Sequence, residues 1–330
     1  QNIVSFQYDE ITTYDYSVAF TEGMDADDIA DFDETIEGID GRVFVYTGTY
    51  DVEANGSSKS ISVVGADSLD GFVDLHTRSG DSVAFPGDGE VVLTQKFAET
   101  LGIRVGDTVT LSNTDSGTLS LKVSGICENY VFSYAYVNLA SFETQWGERP
   151  ALKSAYVNAA EGEDIHNIGA KLANYDKTIS VQVSDDMKTR FSSMLQSLDY
   201  VVLFVIACAG ALAFVVLYNL TNINITERIR EIATIKVLGF YPKECAAYIF
   251  RENYLLTVFS SLIGLFLGKL LHAFVMSQIN IEAVAFDVRI APTSYLLALI
   301  ITFVFAVLVS RAMRVKINRI NMAESLKSIE

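Results

Sequence analysis

Hydrophobic and polar positions follow different rules in the two parts of this 330-residue chain. From Tyr200 to Tyr218 no residue carries a charge, and about 18 or more such residues read as a transmembrane helix. Two further apolar runs follow, so spans are predicted at about 200–220, 254–275 and 293–310. Just upstream, Met187, Phe191, Met194, Leu195 and Leu198 keep one apolar face, and no Gly or Pro interrupts the run into Tyr200. The spacing predicts a helical stalk over 184–199, continuous with the first span as one helix over 185–220. Ser184 is placed to N-cap it, with Asp185 and Asp186 in the first turn, where the helix dipole favours negative charge. At 1.5 Å per residue such a stalk stands roughly 20 Å clear of the bilayer.

Residues 1–183 alternate and break in the manner of a mixed α and β domain. Strands are predicted at 14–20, 42–52, 60–64, 90–93, 118–126, 135–139, 154–158 and 179–183, with another opening after Gly106. Asn55-Gly56 supplies a tight turn that makes a hairpin of the second and third. Helices are predicted at 25–39, from the spacing of Ile29, Phe32 and Ile36, at 95–101 with a stop at Gly102, at 141–146 and at 164–174.

After the first span the pattern changes again. Ile225, Ile229 and Ile232 follow helical spacing, Ile235 roughly continues the row, and Glu227, Arg228, Arg230 and Glu231 crowd the other faces. Gly239 stands where a C-cap glycine belongs, and Pro242 can open the next helix. A short amphipathic helix over 225–239 is therefore expected, apolar on one side and charged on the other. Pro242 to Arg251 reads as a lead-in to the second span. Gly264 and Gly268 form a small-residue face there, and Gly210 offers another in the first span; all three are expected at helix-packing contacts.

The residues Asn222, Arg228, Glu231-Ile232-Ala233, Ile235-Lys236, Leu238-Gly239 and Glu252 resemble the coupling region of FtsX-like ABC transporter permeases, the group that includes MacB-type transporters. Upstream, Val91 to Thr94, Ala98-Glu99, Leu101 to Ile103, Val105 to Leu111, Val123 to Ile126, Glu128 to Tyr130 and Tyr134 to Val137 are similar to the external domain of the same family. The run Arg319 to Lys327 looks like its closing motif. The resemblance implies an α+β extracellular domain over 1–183, a β-rich subdomain beside a βαβ-type one, followed by a bundle of three transmembrane helices. It implies a span upstream of Gln1.

It also implies a separate cytoplasmic ABC ATPase that binds ATP and Mg, with no cofactor in this chain, and a second permease half or a homodimer. Glu227, Arg228, Ile229, Arg230, Glu231, Ile232, Lys236, Leu238 and Gly239 are then the expected ATPase-contacting set. ATP hydrolysis would move the external domain to export or extract a peptide, lipoprotein or lipid-like substrate. A regulator of cell-wall hydrolases in the same fold, or an antimicrobial-peptide sensing or resistance module, is the alternative.

Charge sharpens this division. Residues 1–195 hold 12 Lys/Arg against 32 Asp/Glu, net −20, whereas residues 196–330 hold 12 against 9, net +3. The acidic part argues against nucleic acid as a partner. Arg228, Arg230, Lys236, Lys243 and Arg251 follow the first span, and Arg311, Arg314, Lys316, Arg319 and Lys327 follow the third, with only Arg289 between the second and third. The positive-inside rule puts 221–251 and the C-terminus in the cytoplasm and the acidic domain outside.

Catalytic chemistry is not indicated. Gly264-Leu-Phe-Leu-Gly-Lys269 is one residue short of a phosphate-binding loop and lacks its Ser/Thr. Cys127, Cys208 and Cys245 have no metal or disulfide spacing. His76, His166 and His272 are isolated and expected at the surface or with satisfied partners. Asp185-Asp186 and Asp27-Asp28 read as helix starts. The chain is not expected to be an enzyme by itself.

Overall fold

The computed structural model describes residues 2–113, 117–278 and 290–318. Arg289 and the Arg319–Lys327 motif lie outside the described residues. The chain divides into two compact units, one ending at Gln196 and the other beginning at Ser197.

The first unit opens with α1 (Asn2–Ser5), which passes into a π-helical turn over Phe6–Ile11. The hydrophobic pattern gave no sign of either. Nine strands follow: β1 (Tyr16–Phe20), β2 (Ile39–Ala54), β3 (Ser57–Ala66), β4 (Glu90–Thr94), β5 (Thr108–Asn113), β6 (Gly117–Cys127), β7 (Tyr134–Asn138), β8 (Ser154–Ala159) and β9 (Thr178–Val183). The helices between them are α2 (Ala26–Thr35), α3 (Gln95–Leu101), α4 (Leu139–Trp146) and α5 (Ile165–Ala173).

The strands make one sheet in the order β3-β7-β4-β6-β5-β2-β8-β1-β9. Its β2-β8-β1-β9 end is antiparallel throughout. With α2 after β1 and α5 after β8, it is a pair of interleaved split β-α-β units. Between β2 and β8 the chain builds the β-rich end, where β3–β7 and β4–β6 pair in parallel. Long β2 joins both ends, pairing with β8 through its first half and with β3 through its second.

Local chemistry accounts for these boundaries. Asn55 and Gly56 both take positive φ, 52° and 76°, as a two-residue hairpin requires. The Asp25 carboxylate accepts from the Asp27 and Asp28 amides while Asp28 reaches back to the Asp25 amide, a complete capping box for α2. Gly102 ends α3 at φ 66°. The split β-α-β core is aromatic: Phe32 packs edge-on against Phe20, Phe44 and Tyr175. Tyr50, Phe97, Leu111, Leu121 and Phe142 fill the β-rich core.

His76 departs from expectation. It is buried, neither ring nitrogen has a hydrogen-bond partner among the described residues, and Nδ1 lies 3.5 Å from the Asp74 carboxylate. Its ring is held edge-on by Phe6 from the unforeseen N-terminal turn.

The remaining helices are α6 (Ser184–Glu227), α7 (Ile229–Val237), α8 (Pro242–Gln278) and α9 (Pro292–Asn318). Stretches of α6, α8 and α9 are long and apolar enough to cross a membrane. The predicted stalk and first span are one unbroken helix, α6. Ser184 is its first residue, and its hydroxyl donates to the Tyr14 carbonyl at 2.7 Å, a tie to the strand β1 side that spacing alone did not reveal.

Candidate functional site

The amphipathic segment after the first span is built in three parts, and its N-terminal boundary differs from the expected 225–239. Ile225 and Glu227 belong to the end of α6. The helix breaks at Arg228, where φ is −101° and ψ 19°, and α7 begins at Ile229. No Gly or Pro marks the break. Its visible counterpart is long-range: the Arg228 guanidinium forks onto Glu252 of α8, with Nη1 donating to Oε2 at 2.6 Å and Nη2 to Oε1 at 3.2 Å. Such bidentate pairing fixes orientation as well as charge. Arg228, expected to face a partner, is thus engaged within the chain.

The far end of α7 is a complete Schellman stop. The Gly239 amide donates to the Lys236 carbonyl at 3.1 Å and the Phe240 amide to the Ile235 carbonyl at 3.4 Å. Gly239 carries φ 92°, the left-handed conformation this closure needs. The chain turns at once into α8, whose start is capped by Glu244: its carboxylate accepts from the Tyr241 amide at 2.8 Å.

Burial sorts the remaining side chains. Ile225, Ile232, Phe250, Val309 and Met313 form one apolar cluster at the base of α6, α8 and α9, and Ala233 is buried beside Ile232. Ile229 and Lys236 are half-buried. Glu227, Arg230, Glu231 and Gly239 are exposed. So are Leu238, Phe240 and Tyr241, the last at 73%. Phe240 and Tyr241 were not singled out from sequence. Their position after a capping glycine and before a helix-opening proline was the available signal.

The three glycines separate. A Cβ on Gly210 would stand 2.7 Å from Cζ of the Phe305 ring, so the bare position on α6 makes room for the tip of that α9 side chain. Among the described residues nothing lies within 4 Å of such a Cβ on Gly264 or Gly268, so the expected close helix contact is not seen there. Gly264 instead borders a cavity of about 670 Å³ between α6, α8 and α9. Hydroxyls on its wall return to their own helices: Ser261 donates to Val258 and Thr302 to Ala298, both at 2.8 Å. Among the described residues, no group of three or more His, Cys, Asp or Glu is placed to hold a metal ion.

Comparison with known proteins matches both parts of the chain. The family profile described as MacB-like periplasmic core domain matches residues 2–175, and that described as FtsX-like permease C-terminal matches residues 203–322. An uncharacterized ABC transporter permease of Methanocaldococcus jannaschii is 22% identical over 256 residues, covering 72% of this chain and 63% of the relative. The chain therefore spans under two thirds of that relative's length. Among solved structures, the extracellular domain of the noncanonic ABC-type transporter YknZ from Gram-positive bacteria aligns with TM-score 0.35 and 16% identity, over 51% of this chain and 98% of that one. The periplasmic region of MacB from Actinobacillus actinomycetemcomitans aligns with TM-score 0.36 and 13% identity, over 58% and 98%.

Proposed function

The chain belongs to the FtsX-like, MacB-type family of ABC transporter permeases, and on that premise we propose that α7 and its flanking turns dock on a cytoplasmic ATPase. The ATPase binds ATP and Mg; this chain transmits the resulting movement through α6 to its acidic domain, which lies outside the membrane. Two permease halves act together, and the domain movement serves export or extraction of a peptide, lipoprotein or lipid-like substrate. The charge asymmetry of the loops supports this orientation.

One observation carries the docking proposal. A helix of nine residues is fixed by an ion pair at its start, a Schellman stop at its end and a buried Ile232 beneath, yet it presents Arg230 and Glu231 outward, flanked by exposed Glu227 before it and Leu238 after it. A short element held this firmly moves with the bundle rather than bending away from a partner that pushes on it. Rim charges contribute about 0–1 kcal/mol each, so a single reversal is tolerated and a paired one is not.

The test is co-purification of the ATPase and its hydrolysis rate in the assembled complex. Arg230→Glu combined with Glu231→Lys should lose association or stimulation while the permease still inserts and folds. Wild-type association and stimulation in that variant would remove α7 as the docking element.

A further inference from the structure

A second site lies in the acidic domain, where its first residues and the start of α6 come together. A cavity of about 70 Å³ is bordered there by the π-helical turn, through Gln7 and Tyr8, and by Ser184 and Met187 of α6. Its wall is tyrosine: Tyr14, Tyr134, Tyr136 and Tyr156 join Tyr8 around it. Tyr14 and Tyr156 stack at 4.1 Å between centroids, 2° from parallel.

The hydroxyls are what make this more than a packing fault. Tyr136 and Tyr156 are 4% and 6% exposed, yet neither hydroxyl makes a hydrogen bond to a described residue, and nor do those of Tyr14 and Tyr134. None of the four hydroxyls is sealed off from solvent, so water or a ligand entering the cavity is the partner open to them. Burial raises the pKa of all of these phenols, so they stand as neutral donors at physiological pH. The side chains of Gln7 and Asn129 are already spent on each other and on the backbone of 130–132. No charged side chain lines the cavity. On its rim Phe132 holds a left-handed φ of 60°, rare for a bulky residue, and leaves its ring 46% exposed.

We propose that this cavity is a binding site for the uncharged, acceptor-bearing end of a small organic ligand, an amide or ether oxygen flanked by apolar carbons. The tyrosine hydroxyls donate to the oxygen and the rings cover the carbons. A charged group is excluded because the site offers no counter-charge for the desolvation it would impose. The volume, roughly half that of a cavity that admits benzene, suits the tip of a ligand whose remainder lies across Phe132. Since the wall is shared between the entering chain and α6, occupancy would tie those two segments together. This site is independent of α7 and of any ATPase.

The experiment follows the Met187 methyl resonance of the full chain in detergent micelles, with labelled methionine and assignment by Met187→Leu. Acetanilide is the probe; benzylammonium and benzoate are its charged counterparts. Acetanilide should shift the Met187 signal saturably and leave that of Met24, in the other core, in place as a control of folding. Tyr136→Phe with Tyr156→Phe keeps the rings and removes the donors, and should weaken binding about tenfold or more. A cavity that holds water alone, seen as no saturable shift, would overturn the proposal. So would equal binding by the charged probes, or undiminished acetanilide binding in the double phenylalanine variant with Met24 unmoved.

Discussion

Tyr8, Tyr16 and Tyr175 are each pushed by burial from the ordinary phenol value of 10.0 to about 12, and Tyr156 further. A phenol whose folded value is raised stabilises the fold fully below the unfolded value. That contribution is lost as pH rises from about 10 through the folded values. Ultraviolet titration should therefore show these tyrosines ionising late, and the domain should lose stability to denaturant between pH 10 and 12; tyrosines that ionise at their ordinary value in a folded domain would contradict the burial. The Arg228–Glu252 pair makes a second prediction. Arg228→Ala leaves Glu252 without its fork and should weaken ATPase stimulation, because α7 loses its fixed origin. The exchange Arg228→Glu with Glu252→Arg should restore a large part of it. Equal loss in the single and exchanged variants would mean that Arg228 acts on a partner and not on α8. At 36% and 44% side-chain exposure the pair is partly solvated, so the effect belongs to position more than to stability.

Elements were legible where short-range punctuation set them. Asn55-Gly56 fixed a hairpin, Gly102 and Gly239 fixed helix ends, and the unbroken apolar face from Met187 to Leu198 fixed a helix that the structure carries from Ser184 to Glu227. What stayed hidden depended on partners far along the chain. The break at Arg228 has no Gly or Pro beside it, and its ion-pair partner is 24 residues away. The tyrosine cavity draws on residues near 10, 135, 156 and 187. Gly264 and Gly268 show the reverse, a local pattern that meets no close contact among the described residues. The same distinction sets what a helix break should do. Gly-Gly-Pro inserted after Ser193 interrupts α6 with its poorest formers, at a cost of about 1 kcal/mol per Gly and 3 per Pro. It leaves α7 untouched, so ATPase association should persist while transport is lost. Full transport with the insert would mean that movement does not pass along α6. Gly239→Val should have the reverse signature, because a β-branched residue resists a φ of 92° and the Schellman stop would open. Association itself should then fall.

At the scale of the whole molecule the question is which side of the membrane each part occupies. Positive residues decide orientation, and acidic ones contribute little, so the net −20 of residues 1–195 does not enter. Five Lys/Arg follow the first span and five the third, with Arg289 alone between the second and third. With three candidate spans, the positive-inside rule predicts 221–251 and the C-terminal segment on one side and the domain before α6 on the other. The structure offers two exposed reporters: Ser57 opens β3 at the hairpin tip, and Thr234 lies on the outer face of α7. Of the native thiols, Cys127 and Cys245 are buried, and Cys208 is exposed but within the apolar run of α6. A membrane-impermeant maleimide should therefore read an introduced thiol in a background lacking Cys208. Ser57→Cys should label in intact cells and Thr234→Cys only after lysis. The two reporters guard each other, since a leaky membrane labels both and a misfolded chain loses its span pattern altogether. Labelling at position 57 only after lysis, with position 234 open in intact cells, would invert the molecule. It would put α7 on the side where no ATP is available, and the docking proposal would fall with the orientation.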